Sequence, residues 1–245
     1  NLCCSVLSGV LSKVLWPVSY GQYGAMSRAM NNAIKSPLET ALAGKKHIIW
    51  DWNGTILDDV SYAVDTINWQ LARHDRPQLS FAEYRAIFDF PIRQYYDRLG
   101  FDYARASFET LCHEYVEQYM SGYQICRPFE PVLGVLRASR SQCEHQSILS
   151  ASEQSSLEQM IAHFAIGDLF DHIQGIDNRF AASKLDSGRR LIETSGVGCE
   201  DTVMVGDTLH DVEVARALGI DIVLVDHGHH SREKLLGADV NVVSV

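Results

Sequence analysis

The stretch His47-Ile48-Ile49-Trp50-Asp51-Trp52-Asn53-Gly54-Thr55-Ile56-Leu57-Asp58 decides the fold. Its first four residues are a short apolar run of the kind a parallel sheet buries on both faces, and the run ends abruptly in an acid. Gln146 to Leu149, Thr202 to Val205 and Asp221 to Val225 have the same look, with a weaker run at His172 to Gly175. Each is followed by a polar turn. Between them lie amphipathic helical patterns, such as Leu157, Met160, Ile161 and Phe164, or Val212, Ala215 and Leu218. Strands alternating with helices predict an α/β fold built on a doubly wound parallel sheet.

Residues 61–130 break the alternation. Helical periodicity runs through Ala63 to Leu71, Phe81 to Phe88, Ile92 to Leu99 and Phe108 to Met120. A connection of that length is too long for a compact sheet unless it forms its own small bundle. Upstream, Ser36-Pro37-Leu38-Glu39 places a capping serine, a proline at the first helical position and a reciprocal Glu in register, and Gly44 stops the short helix. The expected organisation is an N-terminal extension and short helix over 1–45, a core over 46–60 and 131–245, and a helical insertion over 61–130. Residues 1–25 are expected to lie outside the fold, because Met26 and Met30 stand just ahead of the first well-formed helix signal.

The 245 residues carry a formal net charge of -10. That balance argues against nucleic acid as a partner, which requires clustered Lys and Arg. An anionic ligand must then be attracted locally, by a metal or a few cations. The six cysteines have neither the paired spacing of a zinc site nor the density of a disulfide scaffold, which fits a reducing cytoplasm. No apolar run approaches the roughly twenty residues that span a bilayer. The Leu2 to Val18 stretch is interrupted by Ser, Gly and Lys13 and lacks the basic start of a secretory signal. The chain is therefore expected to be cytoplasmic, with no membrane partner, as a monomer or homodimer.

The segment Asp51-Trp52-Asn53-Gly54-Thr55 resembles the first motif of the haloacid dehalogenase superfamily: aspartate, any residue, usually aspartate, then Gly-Thr. Ser150 ends the second buried run, Lys184 lies in a later loop, and Gly206-Asp207-Thr208-Leu209-His210-Asp211 follows another run, matching the remaining motifs in order. Together they cover residues 47 to about 226. Taken singly, each has a plainer reading. Thr208-x-x-Asp211 is also a capping box, as is Ser155-x-x-Glu158, Lys184 a surface lysine and Ser150 a turn serine. Their order, each just past a separate run, is what lifts the joint reading.

The resemblance implies a phosphoglycolate phosphatase-like hydrolase with a helical cap, acting on a small phosphorylated metabolite. Asp51 would be the nucleophile, passing through an aspartyl-phosphate. Magnesium would be held by Asp51, the backbone carbonyl of Asn53, Asp207 and Asp211, all hard oxygen ligands. Ser150 would donate to the phosphoryl group beside Ala151, where backbone N–H groups assist, and Thr55 would line the same subsite. Lys184 would balance charge, and Arg93, near Pro91, would touch the substrate's non-reacting end.

Asn53 departs from the pattern. Most phosphatases of the superfamily have a second aspartate there, which protonates the leaving alkoxide, and a carboxamide exchanges no proton near neutral pH. Losing such an acid costs about 10²–10⁴-fold in rate. Three explanations follow: a substrate with a good leaving group, another proton donor such as His210 or an insertion residue, or a protein that binds phosphorylated ligands more than it hydrolyses them. A phosphomutase or a carbon–halogen hydrolase of the same superfamily are further alternatives, the last disfavoured by keeping both Asp207 and Asp211. The run His227-Gly228-His229-His230 lacks matching metal ligands and is expected to be a solvated loop. The aromatic stripe Phe88, Phe90, Tyr95 and Tyr96 is expected to be packing.

Overall fold

The computed structural model describes residues 35–176 and 184–245, so the extension expected over 1–25 lies outside the described residues. Residues 36–245 form one compact unit, which holds everything below. It opens with helix α1 (Pro37–Ala41), closed by the predicted capping box: Ser36 Oγ accepts from Glu39 N at 3.1 Å and Glu39 accepts from Ser36 N at 2.7 Å. Strand β1 (His47–Trp50) follows, buried at all four positions.

A two-residue strand β2 (Leu57–Asp58) then leads into four helices, α2 (Val60–Arg73), α3 (Phe81–Ile87), α4 (Ile92–Leu99) and α5 (Phe108–Gly122). These bury their own apolar cluster, including Ile67, Leu71, Tyr84, Tyr95, Tyr96 and Leu111. The chain returns through β3 (Arg127–Pro128), antiparallel to β2, so entry and exit of the insertion are hydrogen-bonded side by side.

Beyond it come α6 (Glu130–Ser139), β4 (His145–Glu153), α7 (Gln154–Phe164), β5 (His172–Ile176), α8 (Lys184–Ser195), β6 (Thr202–Gly206), α9 (Leu209–Leu218), β7 (Asp221–Val225), α10 (Arg232–Leu236) and β8 (Asn241–Val243). Six strands form one parallel sheet in the order β5-β4-β1-β6-β7-β8. Side chains alternate between its faces with period two. Ile48, Trp50, Ile148, Val203 and Val205 pack with Leu38, Val132, Leu136 and Leu157 on one side. Ile49, Leu149 and Met204 pack with Leu191, Val214, Ala215 and Leu218 on the other. The predicted α/β doubly wound sheet is therefore present, with helices on both faces. No helix among the described residues is long and apolar enough to cross a membrane.

Three local readings change. β4 does not stop at Leu149 but runs to Glu153, with an irregular register after Leu149 that carries Ser150 and Ala151. Ser155 lies inside α7, which starts at Gln154, rather than capping it. Lys184 is the first residue of α8 instead of part of a loop.

Candidate active site

The carboxyl ends of the parallel strands bring the acids together, as open α/β sheets do for their ligands. Asp51 follows β1, and its N–H donates to Val205 O at 2.8 Å, so the sheet ladder fixes its backbone. Asp207 follows β6, and Asp211 lies in the first turn of α9. There the capping box does double duty. Asp211 Oδ2 accepts from Thr208 N at 3.0 Å and Thr208 Oγ1 at 2.7 Å, leaving Oδ1 to accept from Lys184 Nζ at 2.6 Å. Lys184 Nζ also donates to Asp51 Oδ1. Thr55 Oγ1 donates to Asp207 Oδ1 at 2.9 Å and lies 3.5 Å from Asp51 Oδ2. The side chains of Asp51, Thr55, Lys184, Asp207, Thr208 and Asp211 are all buried.

Ser150, also buried, sits on the strand next to β1, two residues past the Trp50–Ile148 pair, and its Oγ accepts from Ser152 N at 3.0 Å. Ala151 beside it is half-buried. Asn53 joins the same neighbourhood, its Oδ1 accepting from Ser152 Oγ at 2.9 Å. Arg93 does not join them. It is exposed on α4, with its guanidinium over the rings of Tyr103 and Phe108, 5.1 Å from each centroid, so a cation–π contact within the insertion holds it away from the acids.

Three residues at the site were not foreseen: Asp59, Tyr119 and His229. Asp59 Oδ1 accepts from Gly54 N at 2.8 Å, and its Oδ2 from Tyr119 Oη at 2.6 Å. His229 Nε2 is 3.4 Å from Asp59 Oδ1, its backbone N–H donates to Asp207 Oδ2 at 2.6 Å, and its Nδ1 meets Tyr84 Oη at 2.9 Å. The histidine run is thus not a solvated loop. His229 and His230 are 6 % and 0 % exposed, because the Phe88 ring from the insertion packs on both and Leu209 N donates to His230 Nδ1 at 3.1 Å. Its position just past β7 was the available signal. Tyr95 and Tyr96 fill the insertion's core as expected, whereas Phe90 leaves it to stack on His210 at 4.5 Å.

Burial drives the electrostatics. It pushes the Asp51 carboxyl up to about 8 against the pull of Lys184, with Asp211 and Asp207 adding repulsion. Burial likewise lifts Asp207 to about 6, partly offset by His229. Burial also penalises Asp211, but the Lys184 ammonium outweighs it and holds that carboxyl below its usual range. Burial disfavours the charged Lys184 too, and Asp211 and Asp51 reverse the effect, raising it. For His229 burial pulls downward while Asp59, Asp207 and Asp51 hold the ring up at about 9.

With all four buried acids ionised, Asp51, Asp59, Asp207 and Asp211 face two buried cations, Lys184 and His229. A divalent ion would bring the cluster to neutrality. One oxygen from each of Asp51, Asp207 and Asp211 lies within 4.8 Å of the others, the only such His/Cys/Asp/Glu group among the described residues. An all-oxygen donor set of this kind suits a hard cation such as magnesium.

Two expected results arise from this geometry. Since the folded pKa of His229 is raised above 6.5 to about 9, its charge contributes stability that is complete below about pH 6.5 and lost as pH rises through about 9. In the presence of a chelator, unfolding free energy should fall by up to about 3 kcal/mol across that window, and His229→Gln should flatten the fall. Parallel pH profiles for parent and variant would contradict the assignment. Gly54 has φ +73°, and a Cβ there would meet Asp207 Oδ2 at 2.4 Å and His229 Cδ2 at 2.5 Å. Gly54→Ala should cost at least about 1 kcal/mol from the backbone alone, read as a lowered Tm, and should displace Asp207. An unchanged Tm would remove the need for glycine there.

Comparisons with known proteins bear on the family and the fold. The family model described as haloacid dehalogenase-like hydrolase matches residues 48–225. A 5'-nucleotidase of Pseudomonas aeruginosa is 28 % identical over 195 residues, 77 % of this chain and 86 % of that protein. A phosphoglycolate phosphatase of Mesorhizobium japonicum is 25 % identical over 193 residues, 76 % of this chain and 84 % of that protein. Among solved structures, a haloacid dehalogenase-like hydrolase of Streptococcus pneumoniae superposes with a TM-score of 0.71 at 19 % identity, over 82 % of this chain and 94 % of its own.

Proposed function

Because the chain belongs to the haloacid dehalogenase-like hydrolase family, we propose that it is a magnesium-dependent phosphatase of small phosphorylated metabolites, working through an aspartyl-phosphate on Asp51. The observation that carries this reading is the convergence of Asp51, Lys184, Asp207 and Asp211 in one buried cluster at adjoining strand ends. Relatives named as phosphatases and a nucleotidase support it.

Asp51 attacks phosphorus, the bond to the leaving oxygen breaks, and water then attacks the phosphoryl group to restore the carboxylate and release phosphate. Lys184 holds Asp51 in place and neutralises charge next to the transferring group. Ser150 donates to a phosphoryl oxygen, and Thr55 orients Asp51 and Asp207. The Asp51, Asp207 and Asp211 carboxylates with the Asn53 carbonyl would hold the magnesium, which would spread the negative charge built up by phosphoryl transfer. The four-helix insertion serves as a cap, with Tyr84 and Phe88 closing over the His229 loop to exclude water.

Asn53 supplies no proton to a leaving oxygen, so acyl and aryl phosphates should turn over faster than alkyl esters. The second reading, a phospho-ligand-binding protein of weak turnover, is favoured by that same carboxamide. Phosphate release should be measured across a panel of phosphorylated metabolites with and without magnesium. Magnesium-dependent release supports the phosphatase, tight binding without release supports the second reading, and magnesium-independent release of halide from a haloacid would overturn both.

A further inference from the structure

The carboxamide of Asn53 is engaged at every polar atom. Its Nδ2 donates to Asp59 Oδ2 at 2.8 Å and to Tyr119 Oη at 2.9 Å, and its Oδ1 accepts from Ser152 Oγ at 2.9 Å. Asp59 is equally saturated. Its two oxygens take Asn53 Nδ2, Gly54 N, Tyr119 Oη and the His229 ring. An ionised carboxylate only accepts, so the group facing Asp59 at 2.8 Å must donate, which fixes both the orientation of the amide and the residue type at 53. A carboxylate at 53 would set acceptor against acceptor in a site where Asp59 is 1 % exposed.

The network joins parts of the chain that are far apart in sequence. Asn53 and Gly54 belong to the nucleophile's loop, Asp59 stands at the entry to the insertion, Tyr119 is in the last turns of α5, Ser152 is in the tail of β4, and His229 follows β7. We propose that Asn53 and Asp59 are a matched amide–carboxylate pair of positioning residues that ties α5 of the insertion, through Tyr119, to the loop carrying Asp51. This deepens the phosphatase reading and rests on it only for its effect on turnover. It also accounts for the departure at 53: the amide is the donor that the neighbouring carboxylate requires. Exchanging the two types conserves the count, since an amide at 59 can donate to a carboxylate at 53 and still accept from Gly54 N.

The test compares Asn53→Asp, Asp59→Asn and the exchange carrying both. Each single variant should lower Tm by roughly 4–8 °C, as expected when one buried polar group loses its partner. The exchange should recover at least half of that loss, and its kcat should exceed that of both single variants on any substrate the parent hydrolyses. Losses that simply add in the exchange, or an Asn53→Asp protein as stable as the parent, would overturn the pairing. Tyr119→Phe gives a milder probe. Hydrogen exchange over residues 108–122 should accelerate at least about fivefold, equivalent to about 1 kcal/mol of lost protection, and unchanged exchange would remove the latch. Tm and hydrogen exchange need no phosphatase activity, so the pairing can fail or stand separately from the phosphatase reading.

Discussion

Asp51→Asn is expected to release no measurable phosphate from any substrate the parent hydrolyses, a loss on the order of 10⁴-fold or more, because the variant lacks the atom that attacks phosphorus. The substitution should leave the fold intact. In the metal-free protein the Asp51 carboxyl is pushed up to about 8 by burial and by two neighbouring acids, so a neutral amide suits the place as well as a carboxylate does. Lys184 keeps Asp211 as its partner at 2.6 Å. Tm in a chelator should therefore equal or exceed that of the parent while activity vanishes. Activity that persists in the variant would mean a different nucleophile, whereas joint loss of fold and activity would mean that Asp51 is chiefly structural.

Lys184→Met is expected to fail on both counts. Its side chain is 4 % exposed and its ammonium touches Asp51 and Asp211, so removal leaves the ionised Asp211 buried without its cation and takes a donor from Asp51. Breaking a buried pair in this way typically costs about 3–5 kcal/mol, here a fall in Tm of roughly 10 °C or more. Magnesium should restore part of that loss, since it supplies positive charge to the same oxygens and binds only the folded chain. Thermal unfolding with and without magnesium checks this. A variant as stable as the parent would show that the lysine is not what neutralises the acids, and a magnesium response equal to the parent's would separate the metal site from Lys184.

The sheet was legible because its strands are continuous apolar runs that end in polar turns. The runs at Ile48, Ile148, Val203 and Val223 needed no tertiary information. β8, three residues long at the sheet edge, and the two-residue pairing of β2 with β3 are too short to leave a periodic trace. Helix α8 was hidden for another reason. Its buried positions Lys184, Ser187, Gly188 and Leu191 recur at helical spacing, but only one is apolar. Small residues serve there because the neighbouring helix α9 comes close: a Cβ on Gly188 would meet Leu218 Cδ1 at 2.7 Å.

The site divides along the same line. Asp51, Asp207 and Asp211 follow strands or cap a helix, positions fixed by local sequence. Asp59, Tyr119 and His229 matter because the insertion folds back onto the sheet and buries them together, a long-range event that spacing does not encode. Arg93 shows the converse. A cation near the expected substrate path is held instead on Tyr103 and Phe108, aromatic neighbours brought to it only by the fold of the insertion.

The central claim is that Asp51 itself carries the phosphoryl group. Rapid quenching of the magnesium-loaded protein during turnover of an acyl or aryl phosphate, followed by borohydride reduction and peptide mass spectrometry, reads this directly. The account predicts conversion of Asp51 to homoserine in the parent and none in Asp51→Asn. Turnover with an unmodified Asp51, or with the label on another side chain, would contradict it.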